Sequence, residues 1–537
     1  MDCRTLPFSQ LPHQPKLFLQ FAERFSTVKN FYAHPPNMSA VRSVVRKLKF
    51  PQERRTEVAS ALREQNTAFG AGEATLQNLD SLEKGAVAVV SGQQVGLFSG
   101  PAYAIYKALT AIQIAHELSR AGIRAVPVFW MATEDHDLEE VRHSTWFAGK
   151  DLRRFELPLV RETGIPVGRI PLGPQVAEMA REAGAVLGGL GSELLAKYLE
   201  ESYAPAETYG SAFGKLFARL FAEHGLILLD PLDARLHRVA AQLYRKAMEE
   251  RDALNEKLLQ RAKDLDNAGY EAQVRVTARS TLLFRMCGAA RQAVSTSNGK
   301  FTSGDKSWTR EELFHAVESE PECFSPNALF RPVVQDYLLP TAAYIAGPAE
   351  ISYFAQAEVI YRHLLGRMPV ILPRAGFTVL DAKAEKILRR YDLKAEDAWA
   401  GAQELRRRME TASIPKALGK NLDRGVAQTE RMLAQLKKQI VRLDPTLGGA
   451  VDTARKKIVY QMEKLRRKAG KARDQKTALI ASHEKFLESL LYPHKGLQSR
   501  ELCLLPFLAQ WGPEGLRKLQ KLCGSKTLRG HKILRFP

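Results

Sequence analysis

Cysteine is scarce in this chain: five in 537 residues, at positions 3, 287, 323, 503 and 523, odd in number and with no C-x-x-C pair. That excludes a disulfide framework and a zinc ribbon, and the five read as reduced thiols. Long apolar runs are missing too. Stretches such as Ala125–Ala132 fall far short of the roughly 20 residues that a bilayer-crossing helix needs. The start, MDCRTLPFSQLPHQPK, lacks the continuous apolar segment of a secretion signal, so a cytoplasmic address is expected. What is present is globular. Hydrophobic residues at 45%, charged residues at 26% and a mean hydropathy of -0.26 argue against a disordered, collagen-like or membrane-embedded chain. The length exceeds one ordinary core, which predicts two or three domains or one core with large insertions.

Acidic residues are sparse in one region only. Residues 381–537 carry 35 basic against 17 acidic side chains, a balance of +18, which leaves 44 against 42, or +2, for residues 1–380. The basic character therefore belongs to the C-terminal third, as an appendage on a near-neutral body.

The body reads as alternating strand and helix. Ala86–Val90 is a valine-rich run suited to a strand covered on both faces, and a glycine-rich turn follows it. Residues 101–119 have proline at the expected first helical position and helical apolar spacing, and Ala125–Met131 is a second strand, so 86–131 predicts one βαβ unit. Similar runs at Leu226–Leu229, Ala342–Ala346 and Pro369–Leu372 extend this to an α/β, doubly wound parallel sheet. An inserted subdomain of strands and turns is expected at about 235–325 within a core of 1–380. Val426, Thr429, Leu433, Leu436, Ile440 and Leu443 follow coiled-coil steps, DPTLGG at 444–449 breaks them, and the period resumes toward Leu490. This predicts an α-helical coiled-coil hairpin over 381–490, with 491–537 returning to the core.

Three stretches carry candidate chemistry. In SGQQVGLFSGP (91–101), Gly92, Gly96 and Gly100 free backbone N–H groups at a helix start, where a phosphate or carboxylate could dock. Ser91, Gln93, Gln94, Tyr103 and Lys107 join it as candidate binding residues. The loop is neither G-x-G-x-x-G nor a Walker A, and a packing turn is the alternative. In TEDHDLEEV (133–141), past the carboxyl end of the second strand, Glu134, Asp135, His136 and Asp137 could take a proton from an amine or hold Mg2+. A helix there would align His136, Glu140 and His143 for zinc, although no zinc motif matches and no metal site is expected. Glu139 and Glu140 read as an acidic helix start. In 325–356, Arg331 could pin a carboxylate or phosphate and Glu350 an amino group. Gln335, Asp336, Gly347 and Tyr353 stand beside them, with an internal Arg–Asp pair as the alternative.

Taken together, SGQQVGLFSGPAYAIYKALT (91–110), VPVFWMATEDHDLEEV (126–141), ETYGSAFGKLF and GLILLDP (207–217 and 225–231), the whole of 325–356 and MPVILPRAGFTVLD (368–381) resemble the bacillithiol-biosynthesis cysteine-adding enzymes, the BshC family. The resemblance implies a Rossmann-like core with connecting-peptide insertions, a coiled coil used for homodimerisation, and addition of cysteine to the amine of glucosaminyl-malate. Amide formation from a carboxylate needs activation, so ATP with Mg2+ is the expected energy source. On this reading the Gly92–Gly100 loop holds phosphates or a carboxylate. Asp135, His136 and Asp137 handle the amine, and Arg331 with Arg374 stabilise developing negative charge. The chain has neither the His-Ile-Gly-His nor the Lys-Met-Ser-Lys-Ser loop of Rossmann-type adenylate-forming ligases. At Leu497, Gln498, Ser499 and Arg500 it carries serine where relatives typically carry glutamate, with Glu501 following. Two other functions compete: nucleic-acid binding by basic clusters such as 464–467 and 468–473, against which a solvated coiled-coil face is preferred, and a non-catalytic dimeric scaffold.

Overall fold

The structure, a computed structural model, describes residues 2–158, 164–287, 290–413, 416–471 and 474–535. Five strands form the central sheet: β1 (Val87–Gln93), β2 (Ala125–Met131), β3 (Ile227–Leu229), β4 (Thr341–Ala346) and β5 (Val370–Pro373). Their spatial order is β5-β4-β1-β2-β3 and every pairing is parallel. The chain winds outward from β1 through β2 to β3, then crosses back to build β4 and β5 on the other side of β1. The β1/β4 boundary is therefore the topological switch point, where the connections leave in opposite directions and open a crevice at the strand ends.

The helix after β1, α1 (Ala102–Arg120), buries fourteen of its nineteen residues. It packs on the sheet on one side and on C-terminal helices 498–501 and 514–521 on the other, which explains an apolar pattern running almost all round it. Pro101 lies one residue ahead of the predicted position, before the helix, at φ -63° and ψ 152°. β1 also extends further than the valine run indicated, through Ser91, Gly92 and Gln93. Gly92 permits this by pairing with Trp130 at a distance no side chain would allow: a Cβ there would sit 2.7 Å from the Trp130 carbonyl oxygen.

The insertion is not strands alone. It begins with two long helices, α2 (Ala234–Glu249) and a helix over Arg251–Asn267, and only then forms a five-stranded antiparallel sheet of 280–287, 290–297, 300–303, 306–308 and 324–326. α2 has seven buried positions at helical spacing, including Leu236, Ala240, Leu243 and Ala247, so its apolar stripe packs inward. Two further helices carry site residues: α3 (Arg331–Leu338) and α4 (Pro348–Leu364). The last strand, His531–Arg535, lies between the first, Asp2–Leu6, and Gly376–Leu380, drawing both chain ends onto the body.

The basic third contains α5 (Lys416–Leu443) and α6 (Gly448–Lys471), joined by a short turn over Pro445–Leu447. Ion pairs Lys437–Asp452, Arg455–Glu430 and Arg466–Asp423 step in opposite directions along the two helices, so the hairpin is antiparallel. Leu433 and Val451 are buried, whereas Met432, Leu436, Leu443, Ile458, Tyr460 and Leu465 are exposed. Of the expected basic clusters, Arg466 is engaged in ion pairs, while Arg473 lies outside the described residues. Cys503 and Cys523 are buried thiols and Cys323 is half-buried; the Cys287 side chain falls outside the description. Among the described residues no helix is long and apolar enough to cross a membrane.

Candidate active site

The organising feature of the switch point is a lysine inside the apolar helix. Lys107 is 2% exposed, and an isolated ammonium so placed would lose its hydration without replacement. Its amine is satisfied from both sides of the crevice. It donates to the Gly92 carbonyl oxygen at 2.6 Å and to Gln93 Oε1 at 2.9 Å, both at the end of β1, and pairs with Glu350 in the first turn of α4, beyond the end of β4. Glu350 also accepts the Gly347 N–H at 2.7 Å and the Tyr344 hydroxyl at 2.7 Å. Burial alone would push its carboxyl up, but the Lys107 ammonium and these donors hold it below the usual carboxylate range. The pair joins the two halves of the sheet at their boundary.

Around this pair opens a cavity of about 450 Å³, within the range of about 300–1,000 Å³ usual for small-molecule sites. Arg331, the first residue of α3, donates to the Tyr353 hydroxyl at 2.9 Å and the Tyr344 hydroxyl at 3.3 Å, with its guanidinium 6.0 Å from the Trp130 ring centre. Arg374 follows β5. It donates to its neighbour's carbonyl, Ala375 O, at 2.9 Å and lies 5.5 Å from the Tyr103 ring centre. Burial and the like charge of Arg500 lower Arg374 to about 10. Carboxylates line the same cavity among these cations. Gln94 bridges Asp135 at 2.9 Å and Glu140 at 2.7 Å, and burial raises the Glu140 carboxyl. Glu134, almost fully buried, joins them in the lining. The lining holds five cations (Lys107, Arg291, Arg331, Arg374 and Arg500) and four carboxylates (Glu134, Asp135, Glu140 and Glu350).

All three sequence stretches converge here. Gly92, Gln93, Gln94, Tyr103, Lys107, Glu134, Asp135, Arg331, Gly347, Glu350, Tyr353 and Arg374 line the cavity. The other expected residues do not. Ser91 points between strands and donates to the Ile345 carbonyl at 2.9 Å. Gly96 and Gly100 pinch a buried loop, in which a Cβ on Gly96 would meet the Gly100 Cα at 2.8 Å. The loop is no anion cradle. The Gly96 N–H goes to Gln94 O and the Gly100 N–H to Leu97 O, while Leu502 O takes the Ala102 N–H at 2.8 Å, so the start of α1 is spoken for by the C-terminal segment.

His136 and Asp137 are exposed and lie outside the lining; Asp137 caps the short helix Leu138–Val141 through the Glu140 N–H. The helical alignment for zinc is also absent, because His136 precedes that helix and His143 begins the strand 143–148. Among the described residues no group of three or more His, Cys, Asp or Glu could hold a metal ion. Gln335 and Asp336 are completely buried behind Arg331. The internal Arg–Asp alternative is replaced by Arg331–Gln335, at 3.3 Å, and by a Tyr361–Asp336 hydrogen bond.

Sequence reasoning passed over Arg291, Glu140 and Arg500. Arg291 lies in the antiparallel insertion, with no motif around it, and reaches the cavity because its guanidinium is held by Ser325 Oγ at 2.9 Å and Pro326 O at 2.7 Å. Glu140 had been assigned to a helix start. Arg500 stands in the Leu-Gln-x-Arg segment, whose Gln498 clamps the Val379 backbone in both directions, at 2.7 and 3.0 Å, while Ser499 is buried. Position 499 lines a small separate pocket beside Arg374 and Arg500, and the member of that segment that lines the switch-point cavity is the arginine.

The sequence pattern described as "Bacillithiol biosynthesis BshC, N-terminal Rossmann-like domain" matches residues 1–375, and "Bacillithiol biosynthesis BshC, C-terminal coiled-coil domain" matches residues 377–536. The chain belongs to the BshC family. A relative from Koribacter versatilis (strain Ellin345), named "Putative cysteine ligase BshC", is 40% identical over 99% of both chains. Relatives of the same name from Solibacter usitatus (strain Ellin6076) and Salinibacter ruber (strain DSM 13855 / M31) are 39% identical over 95% of this chain and 31% identical over 97% of it. They cover 96% of each of those relatives. The Rossmann-like sheet and C-terminal helical hairpin are thus family features, and the switch-point cavity lies within the N-terminal family region except for Arg500.

Proposed function

We propose that this chain is a carbon–nitrogen ligase that joins the carboxyl of cysteine to the amine of glucosaminyl-malate as an amide. The observation that carries the reading is the mixed charge of the switch-point cavity. Both substrates combine amine and carboxylate groups, and a site whose lining interleaves cations and carboxylates can hold each by its opposite. Arg331 and Arg374 would receive carboxylate or phosphate oxygens, and Asp135 and Glu140, both bonded by Gln94 in the same lining, would accept the amine. Lys107 and Glu350 neutralise each other and act as the rigid floor.

A nucleoside triphosphate fits the same cations. Arg374 and Arg500 repel one another in a partly buried wall, and an anion between them relieves that repulsion. When bound, ATP with Mg2+ would supply the activation of the cysteine carboxyl. Arg331, Arg374 and Arg500 would hold its phosphates, and the metal would arrive with them. The hairpin adds a partner: the exposed apolar side chains on α5 and α6 form a surface that a second copy of the chain would cover, giving a homodimer. The test is product formation from cysteine and glucosaminyl-malate, read by mass spectrometry with and without ATP and Mg2+. Amide product that requires the nucleotide supports the reading; no product under any of these conditions overturns it.

A further inference from the structure

Two buried polar atoms at the cavity wall face each other without a hydrogen-bond partner: Glu134 Oε1 and His237 Nε2, 3.6 Å apart. That separation is longer than a hydrogen bond, and stranding such atoms costs about 1–3 kcal/mol each. Glu134 follows β2 at the carboxyl edge of the sheet and lines the cavity. His237 stands behind it in the first turns of α2, 2% exposed, and Tyr244, seven residues on along the same helix face, brings its hydroxyl to 3.4 Å from His237 Nδ1. If the tyrosine donates to Nδ1, the imidazole proton sits on Nε2 and points at the carboxyl. The result is a chain of tyrosine, histidine and carboxyl that ends in the cavity.

We propose that Glu134 takes the proton from the substrate amine, and that His237, oriented by Tyr244, is a positioning residue that sets how readily Glu134 does so. This deepens the ligase reading and rests on it. In the step, one N–H bond of the ammonium breaks with its electron pair left on nitrogen, and an O–H bond forms on Glu134. The freed pair then attacks the activated cysteine acyl carbon; the bond from that carbon to the oxygen of the activating phosphate breaks, its pair leaving on the phosphate, and the second N–H proton and the one held by Glu134 pass to water at the cavity mouth. Burial pushes Glu134 up to about 8 and His237 down to about 4, so the histidine acts near neutrality as an uncharged donor. Glu134 is faced by Arg291, Arg331 and Arg169, by Asp230 and by Tyr244; His237 is faced by Arg169, Asp233 and Tyr244. The arginines favour the charged carboxylate, while the low-dielectric wall and Asp230 oppose it, which leaves the group poised between its two forms.

Two measurements test this. The first needs no turnover: calorimetry of glucosaminyl-malate binding at pH 7 in buffers of different ionisation enthalpy counts the protons released. Wild type is expected to release most of one proton per site, and Glu134→Gln clearly less; equal release overturns the proposal. The second is the pH dependence of kcat/KM. Wild type is expected to show an acid limb near pH 8. Glu134→Gln should lose at least about 100-fold. His237→Phe should move the limb upward, and His237→Gln, which restores an N–H, should bring it back. A Glu134→Gln rate within tenfold of wild type, or a His237→Phe rate loss with the limb unmoved, overturns the proposal. Absence of product from wild type instead removes the ligase reading, and the proton count still decides the role of Glu134.

Discussion

Replacing Lys107 by methionine keeps the volume and removes the ammonium on which the switch point is assembled. Three groups lose the ammonium at once: the Gly92 carbonyl, Gln93 Oε1 and the Glu350 carboxylate, which keeps only neutral hydrogen-bond donors such as the Gly347 N–H and the Tyr344 hydroxyl to offset its charge. Breaking one side of a buried ion pair costs about 3–5 kcal/mol, and each stranded acceptor adds to it on the order of 1 kcal/mol. The predicted loss is therefore at least about 3 kcal/mol at pH 8, read by equilibrium urea unfolding. Its pH dependence has a definite sign. In the wild type, Glu350 is held below the ordinary carboxylate range, so the stability it contributes is present above its unfolded value and is lost only as pH falls through the lower folded value. In Lys107→Met, burial acts without the ammonium, the carboxyl moves up, and it takes a proton as pH falls from 8 toward 5. The deficit should shrink over that window. The double variant Lys107→Met/Glu350→Gln should be less destabilised than the sum of the singles by about 2 kcal/mol or more. A single-variant loss below about 1 kcal/mol, or one that is flat from pH 8 to pH 5, refutes the reasoning, because it would mean that solvent rather than Lys107 carries the Glu350 charge.

Three further outcomes are expected. Gly92→Ala places a Cβ 2.7 Å from the Trp130 carbonyl and 2.9 Å from its Cβ; it should destabilise by about 1–3 kcal/mol and weaken ligand binding, because the carbonyl that receives Lys107 must move with the strand. Arg374→Met removes one of two mutually repelling cations, so it should leave the melting temperature unchanged or slightly raised while weakening ATP binding by about tenfold or more in calorimetry. Leu436→Glu with Ile458→Glu puts charge on the exposed hairpin surface and should give a monomer in analytical ultracentrifugation, against the dimer expected of the wild type.

The parallel sheet was legible because its strands are buried on both faces and read as continuous apolar runs, from Ala86–Val90 to Pro369–Leu372, each close to an observed strand. Much of the candidate site was legible for a related reason. In a doubly wound sheet, residues just past strand ends meet whatever their separation along the chain, so the stretches holding Gly92, Glu134 and Arg331 could be expected on one rim before any contact was known, whereas Arg374 entered only through the family resemblance. Errors arose where position along a loop does not determine direction. Gly96 and Gly100 satisfy the pattern of an anion loop, yet their N–H groups turn inward and the first N–H of α1 meets Leu502, a residue some 400 positions away. His136 and Asp137 adjoin Asp135 in sequence but are exposed and outside the lining, the His136 ring standing 3.5 Å from cavity-lining Arg291 without lining the cavity itself. Arg291 and His237 reach the cavity through the insertion and through α2, whose docking depends on tertiary packing that periodicity does not encode. The hairpin was readable from its helical period and its antiparallel sense from the break at 444–449, but the expected seam holds only in part: Leu433 is buried, whereas Leu436 and Leu443, the latter 85% exposed, are not covered by the facing helix.

The most direct test of the central claim, that the switch-point cavity is where cysteine and the amine are joined, is product formation by Arg331→Met compared with wild type. The two would be matched for folding by circular dichroism and assayed by mass spectrometry with cysteine, glucosaminyl-malate, ATP and Mg2+. The account predicts abundant amide product from wild type and at least about a 100-fold lower rate from the variant; equal rates from the two proteins would contradict it.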